Sequence, residues 1–337
     1  MNFIDHYSFD LPSELIALDP LPSRDGCKLM VVDRKTQRFY HHRFYELALF
    51  LSKEDLLVLN NSKVIPAFFQ SADEKTTFLF VQSLDPLHWK VMASPGKHLK
   101  MGSIIPIKCP TQNPNSPITA RLSSKLQSAY YVLEFDEEPK LEWLGLPPLP
   151  PYIRKLRKKK NRVEIEQKDR EYYQTVFAQH PGSIAAPTAG LHFSKEMLEQ
   201  FSTAFITLHV GPGTFRPLST EQLATGRLEA EYYSIDSSLK EKYKPGRRIV
   251  AVGTTVVRVL ETIKNLEPQQ GWTDLFIFPP FTFKRTNALI TNFHLPRSSL
   301  FLLTCAFAGT ELLKKAYAEA IQKSYRFYSY GDAMLII

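Results

Sequence analysis

"RIVAVGTTVVRVLETIKNL", residues 248–266, changes character at a single glycine. "RIVAVG" is an apolar run of strand type, and "TTVVRVLETIKNL" reads as a helix with Thr254 or Thr255 at its start. The same alternation extends outward. "SKEMLEQFS" is an amphipathic stretch capped by Ser194, and it precedes the strand "AFITLHV". "TDLFIFPPF" and "NALITNFHL" add strands, and "SSLFLLTCAFAGTELLKKAYAEAIQKSY" supplies one or two helices. Upstream, "KLMVVDRKTQRFYHHRFYEL" reads as strand, turn and strand, while "LLVLNNSKVIPAFF" is a buried-type strand that breaks at Asn60-Asn61. From about Ala67 to Glu142 the texture shifts to short alternating segments such as "TTFLFVQS", "WKVMAS" and "AYYVLEF", punctuated by Pro, Gly, Ser and Asn. That spacing suggests a small antiparallel barrel or sandwich rather than α/β units. The expectation is a multi-domain α/β fold. A large domain with a mixed sheet (1–66 and 150–337) carries a smaller inserted antiparallel β-barrel (67–149).

Composition excludes several classes. The chain has 337 residues, 44% hydrophobic and 23% charged, enough for two domains and unlike a disordered chain. No long apolar run or secretory leader pattern is present, so a soluble cytoplasmic protein is expected. Cys27, Cys109 and Cys305 are widely spaced and odd in number, which speaks against disulfides and cysteine zinc sites. A net charge of +8 is compatible with a polyanionic partner without requiring one.

Six segments break apolar elements with small and polar residues: "LNNSKVIPA", "PGSIAAPTAGLHF", "LHVGPGTFRP", "VGTTVVR", "TNFHLPRSS" and "YSYGDAMLI". Glycine permits close backbone approach to a ligand, and a neighbouring histidine can exchange protons near neutrality. Taken singly, each has an ordinary structural reading, as a strand end, a helix cap or a turn. Their number suggests convergence on one pocket. Gly211-Pro212-Gly213 lacks the third glycine of a dinucleotide loop, no phosphate-binding P-loop occurs, and no histidine pair has metal-ligand spacing. The basic run Arg154, Lys155, Arg157, Lys158, Lys159, Lys160 follows a proline-rich boundary. It reads equally as a solvated loop or as phosphate contacts.

Together these segments resemble one family from end to end: the S-adenosylmethionine:tRNA ribosyltransferase-isomerases, or QueA family. "AAPTAGLHF" and "TNFHLPRSSL" are long and unusual, and "FDLPSELIALDPLPSRDGCKLMVVDR", "ITLHVGPGTFRPL" and "YRFYSYGDAMLI" extend the likeness. The resemblance implies transfer and isomerisation of the ribosyl moiety of S-adenosylmethionine. The acceptor is 7-aminomethyl-7-deazaguanine at the wobble position of a tRNA with a GUN-type anticodon. The product is epoxyqueuosine, and adenine and methionine leave. S-adenosylmethionine is then a consumed substrate, with no cofactor or metal, and a monomer without membrane contact is expected.

Such chemistry needs a base for the carbon beside the sulfonium and a donor for departing adenine. On this reading His209 carries the proton transfer, with His192 and His294 as alternatives and Glu231 as a retained acidic partner. Arg24, Asp25, Asn60, Thr188, Gly190, Gly211, Gly213, Thr214, Thr254, Arg258 and Asn292 would line the substrate site. Arg154, Arg157, Lys158, Lys159 and Lys160 would meet tRNA. The chain also departs from the family pattern. Gly226 and Glu229 stand where histidines are usual, Phe68 and Ser94 replace cations, and Pro212 replaces an apolar residue. A tRNA-binding homologue with lost or altered catalysis is therefore the alternative.

Overall fold

A computed structural model describes residues 3–110, 118–126, 130–166, 168–215 and 217–337, with the side chains of Thr214 and Phe215 outside the description. The chain divides into two compact units, one of residues 1–63, 172–180 and 186–337, the other of residues 64–171 and 181–185.

The first unit is built on a nine-stranded mixed sheet. Its centre holds four mutually parallel strands, in spatial order Ser202–Leu208, Leu56–Asn60, Ile249–Val252 and Ala288–Asn292. Every residue of "LLVLN", "IVAV" and "ALITN" is buried, as expected of strands covered on both faces. Ala333–Ile336 runs antiparallel to Ala288–Asn292, and Lys28–Asp33 lies parallel beyond it. Arg38–Arg43 closes that side as an exposed edge, and its charged and polar side chains suit an unpaired rim. On the other side Arg227–Ile235 and Gln269–Leu275 continue antiparallel.

The helices follow the expected pattern. Thr254–Thr262 starts at the predicted threonine, and Gly253 at φ +97° turns the chain out of its strand. Ser194 caps a short helix, Lys195–Leu198, by accepting the Met197 N–H at 3.2 Å. The apolar C-terminal stretch forms two helices, Ser299–Ala308 and Thr310–Gln322, broken at Gly309, φ +90°. The first is nearly all buried, whereas the second buries one stripe (Leu312, Leu313, Ala316, Tyr317, Ala320).

The second unit carries six antiparallel strands in the order Phe68–Gln70, Thr77–Ser83, His88–Ser94, Tyr130–Phe135, Thr119–Lys125, Ile104–Pro106. A bridge between Ser71 and Ile107 joins the two ends, with Lys108 N–H donating to Gln70 O at 2.9 Å, so the sheet curls toward a barrel. Phe69, Phe78, Trp89, Leu122, Leu133 and Phe135 fill its core. The same unit corrects one expectation. The proline-rich boundary leads into a helix, Pro151–Lys159, with Pro151 in the first turn where its missing N–H costs nothing.

Candidate active site

The sheet topology explains why five of the six scattered polar segments meet. The four central strands run the same way, so the residues that follow Asn60, Leu208, Val252 and Asn292 emerge along one edge. Strands Lys28–Asp33, Arg227–Ile235 and Ala333–Ile336 begin at that edge, so "RDGC", "RLEAE" and "YSYGD" are delivered there too. Crevices outside the carboxyl ends of parallel strands are the usual ligand sites of open α/β sheets.

At the strand end of Leu208, His209 Nδ1 lies 2.7 Å from Ser62 Oγ, and the ring stacks on Tyr232. The imidazole is half-buried. Desolvation, with a lesser contribution from His180, lowers its pKa and favours the neutral ring. Asn60 beneath it is fully engaged. Its Oδ1 accepts from Ser62 N and Leu208 N, while its Nδ2 donates to Leu208 O and Thr255 Oγ1. Asn60 therefore ties two strand ends to the helix Thr254–Thr262, whose first residue, Thr254, is buried.

The next loop is held by a buried ion pair. Glu231 Oε2 pairs with Arg258 Nη1, and Oε1 accepts the Gly211 N–H at 2.7 Å. Arg258 spends its other donors on Leu275 O and Thr273 O. Glu231 thus fixes where the Gly211 loop sits, with both its oxygens committed. Glu229, two residues earlier, faces Gly213 closely: a Cβ there would meet Glu229 Oε2 at 3.1 Å. Gly226 adopts φ +66° to end the helix Thr220–Thr225, a left-handed conformation that histidine takes only with strain.

The third cluster surrounds an open cleft of about 330 Å³ lined by Arg24, Cys27, Tyr172, Leu191, His192 and Tyr330, among others. His192 is buried. Its Nε2 lies 3.0 Å from Asn292 Nδ2 and its Nδ1 lies 3.2 Å from Cys27 Sγ. Asn292 Nδ2 also donates to Tyr328 O at 3.1 Å, which sets the amide with nitrogen toward the ring. The ring proton is then assigned to Nδ1. Burial, aided by Arg326 and Arg24, pushes His192 down to about 3, while burial pushes the Cys27 thiol up. The pair is neutral thiol and neutral imidazole, not the thiolate–imidazolium pair of a nucleophilic cysteine. Arg24 donates to Leu191 O at 3.3 Å and lies over the Tyr172 ring. Asp25 accepts from Ser23 Oγ and, at 3.5 Å, from Ser194 Oγ.

His294 belongs to the core. Its Nε2 meets Thr291 Oγ1 at 2.7 Å, its backbone N–H donates to Tyr317 Oη, and burial pushes the ring down to about 3. Thr188 opens the turn that ends at His192. Gly190 in that turn has no room for a side chain, since a Cβ would meet Phe177 Cζ at 2.7 Å. The Thr214 side chain lies outside the described residues.

The basic helix of the second unit corrects one expected tRNA contact. Arg157 is 0% exposed and forms a two-pronged pair with Asp169, itself 0% exposed, at 2.6 and 3.0 Å. Arg154 is half-buried, pairs with Glu164 and lies over the Phe68 ring. Lys158, Lys159 and Lys160 are exposed. Among the described residues no cluster of three His, Cys, Asp or Glu could hold a metal ion.

Sequence reasoning gave no site role to Ser62, Thr255, Tyr232, Cys27, Arg326 or Asp332. Buried Asp332 accepts Lys28 N–H and Arg326 N–H and so shapes the Tyr330–Gly331 wall. Only adjacency to the six polar segments could have pointed to these residues.

A nine-stranded mixed sheet with a histidine-bearing carboxyl edge and a separate antiparallel six-stranded unit define a two-unit α/β protein, and the comparisons give it a family. A family model described as a queuosine biosynthesis protein matches residues 4–336, and the chain belongs to that family. It is 44% identical to the S-adenosylmethionine:tRNA ribosyltransferase-isomerase of Thermotoga petrophila and 43% identical to that of Aquifex aeolicus, in each case over 99% of both chains. The crystal structure of S-adenosylmethionine tRNA ribosyltransferase from Thermotoga maritima is similar at a TM-score of 0.54 and 35% identity, covering 98% of this chain and 100% of that one.

Proposed function

We propose that the protein transfers and isomerises the ribosyl moiety of S-adenosylmethionine onto tRNA in queuosine biosynthesis. The full-length likeness to relatives named for that reaction supports the reading. In detail, the acceptor is the amine of 7-aminomethyl-7-deazaguanine at the wobble position of a GUN-type anticodon. The enzyme is a cytoplasmic monomer, and S-adenosylmethionine is consumed as substrate. No helix of the described residues is long and apolar enough to cross a membrane. The names of the relatives lend no support to a homologue without catalysis.

Proton transfer falls to His209, and one observation carries that choice. His192 has both ring nitrogens engaged and His294 is bonded within the core. His209 is half-exposed, and among the described residues only its Nδ1 is hydrogen-bonded. Ser62 and Tyr232 orient the ring, and its lowered pKa keeps Nε2 able to accept a proton at neutral pH. The sulfonium acidifies the neighbouring ribose carbon, whose proton this nitrogen removes. Glu231 acts as a positioning residue, holding the Gly211 loop against the substrate. Arg24, Asp25, Thr188, Thr254 and Asn292 form the polar wall. Lys158, Lys159 and Lys160 meet tRNA phosphates. Incubation with S-adenosylmethionine and precursor-containing tRNA, read as adenine release and product nucleoside mass, tests the assignment. Absence of adenine release would overturn it.

A further inference from the structure

Gln269–Leu275 is an edge strand, yet it presents Trp272 with 68% of its surface exposed. The register shows what Trp272 belongs to. Tyr232 and Trp272 are cross-strand partners, and His209 N–H donates to Tyr232 O at 3.0 Å. The three side chains therefore form one row across three neighbouring strands. The imidazole stacks on the phenol at 5.7 Å and 21°, and the phenol meets the indole edge-on at 5.8 Å and 73°. The Tyr232 hydroxyl donates to Gln270 Oε1 at 2.7 Å, which fixes the middle ring. Alternation sends Glu231 and Thr273 to the opposite face, where Glu231 pairs with Arg258 and Thr273 Oγ1 meets Thr262 Oγ1. The ring row therefore plays no part in the ion pair that holds the Gly211 loop.

We propose that this row is a stacking platform for RNA, with Trp272 receiving an unstacked base next to the one presented at His209. The inference rests on the transferase reading above, because a reaction at a base needs its neighbours splayed out of the stack. Two features select a nucleobase as the occupant. The platform is continuous with His209, two ring steps away, and an indole face accepts any base without hydrogen-bond readout. Stacking forms no covalent bond, so its signature is affinity.

The full-length protein should be titrated with a synthetic anticodon stem-loop RNA. Trp272→Ala should weaken binding by about tenfold or more, and Trp272→Phe should retain most of the affinity. Indole emission should be quenched by the RNA in the unmodified protein, and Trp272→Phe should lose a measurable part of that quench. In turnover the loss should fall on the KM for RNA and not on that for S-adenosylmethionine. Wild-type affinity in Trp272→Ala, or a quench in Trp272→Phe as large as that of the unmodified protein, would overturn the proposal. RNA binding by the unmodified protein without adenine release would sink the transferase reading instead, and the Trp272 variants would still decide the stacking.

Discussion

His192, His209 and His294 stand at one sheet edge and differ in what their ring nitrogens touch. With Nδ1 of His209 engaged by Ser62, His209→Ala should lower turnover at least about 10²-fold in the adenine-release assay while leaving the thermal transition in place. Near-normal turnover would take His209 out of the mechanism. Glu231 and Arg258 behave differently, because removing one leaves the other's charge buried. Arg258→Ala should cost about 3–5 kcal/mol in urea unfolding, and it should loosen the Gly211 loop. Gly226→His should cost roughly 1 kcal/mol, since the position is left-handed and a Cβ there meets nothing within contact distance. At this scale sequence named the histidines and put His209 first, but the contacts that separate the three were not legible in it. Rank depends on which ring nitrogens are already engaged, and those contacts come from Ser62, Cys27 and Asn292, far apart in the chain.

Among the elements, the basic helix Pro151–Lys159 separates structure from surface charge within four residues. Arg157→Ala should destabilise the protein by about 3–5 kcal/mol by stranding Asp169, with little change in the salt dependence of tRNA binding. Replacing Lys158, Lys159 and Lys160 by Ala should leave the melting temperature near wild type. If they touch duplex phosphates, it should flatten the salt slope by about 0.9 per lost contact. An unchanged slope would remove the helix from the tRNA surface. The composition "RKLRKKK" could not reveal which cation turns inward, because that follows from helical phase and from Asp169, twelve residues on. The apolar strands were legible for the opposite reason. "LLVLN", "IVAV" and the C-terminal "AMLI" are buried on both faces and carry their position in composition alone.

At the scale of the whole molecule, the buried histidines make stability depend on pH. Folded His192 and His294 take up protons only near pH 3, whereas unfolded histidine does so at about 6.5. Between those values the unfolded chain binds more protons, so stability is full above about pH 6.5 and falls as pH drops, by about 1.4 kcal/mol per unit for each histidine. Unfolding free energies at pH 6 and 5 should show this slope, and His294→Gln should reduce it. A slope unchanged in that variant would mean His294 is not buried neutral. The convergence of the six polar segments was only suggested by their number. Strand direction, which no single segment encodes, is what brings five of them to one edge.

The strand Ala333–Ile336 has a consequence for the order of assembly. It lies between Ala288–Asn292 and Lys28–Asp33, so the early hairpin of Lys28–Asp33 and Arg38–Arg43 reaches the sheet only through residues made some three hundred positions later. During vectorial synthesis that hairpin must wait, its apolar face unpartnered, while the rest of the sheet is translated. Pairings of such long sequence separation are slow to close. The last strand is thus the latch of the fold, and the earliest strands are the ones most exposed to chaperones until it arrives.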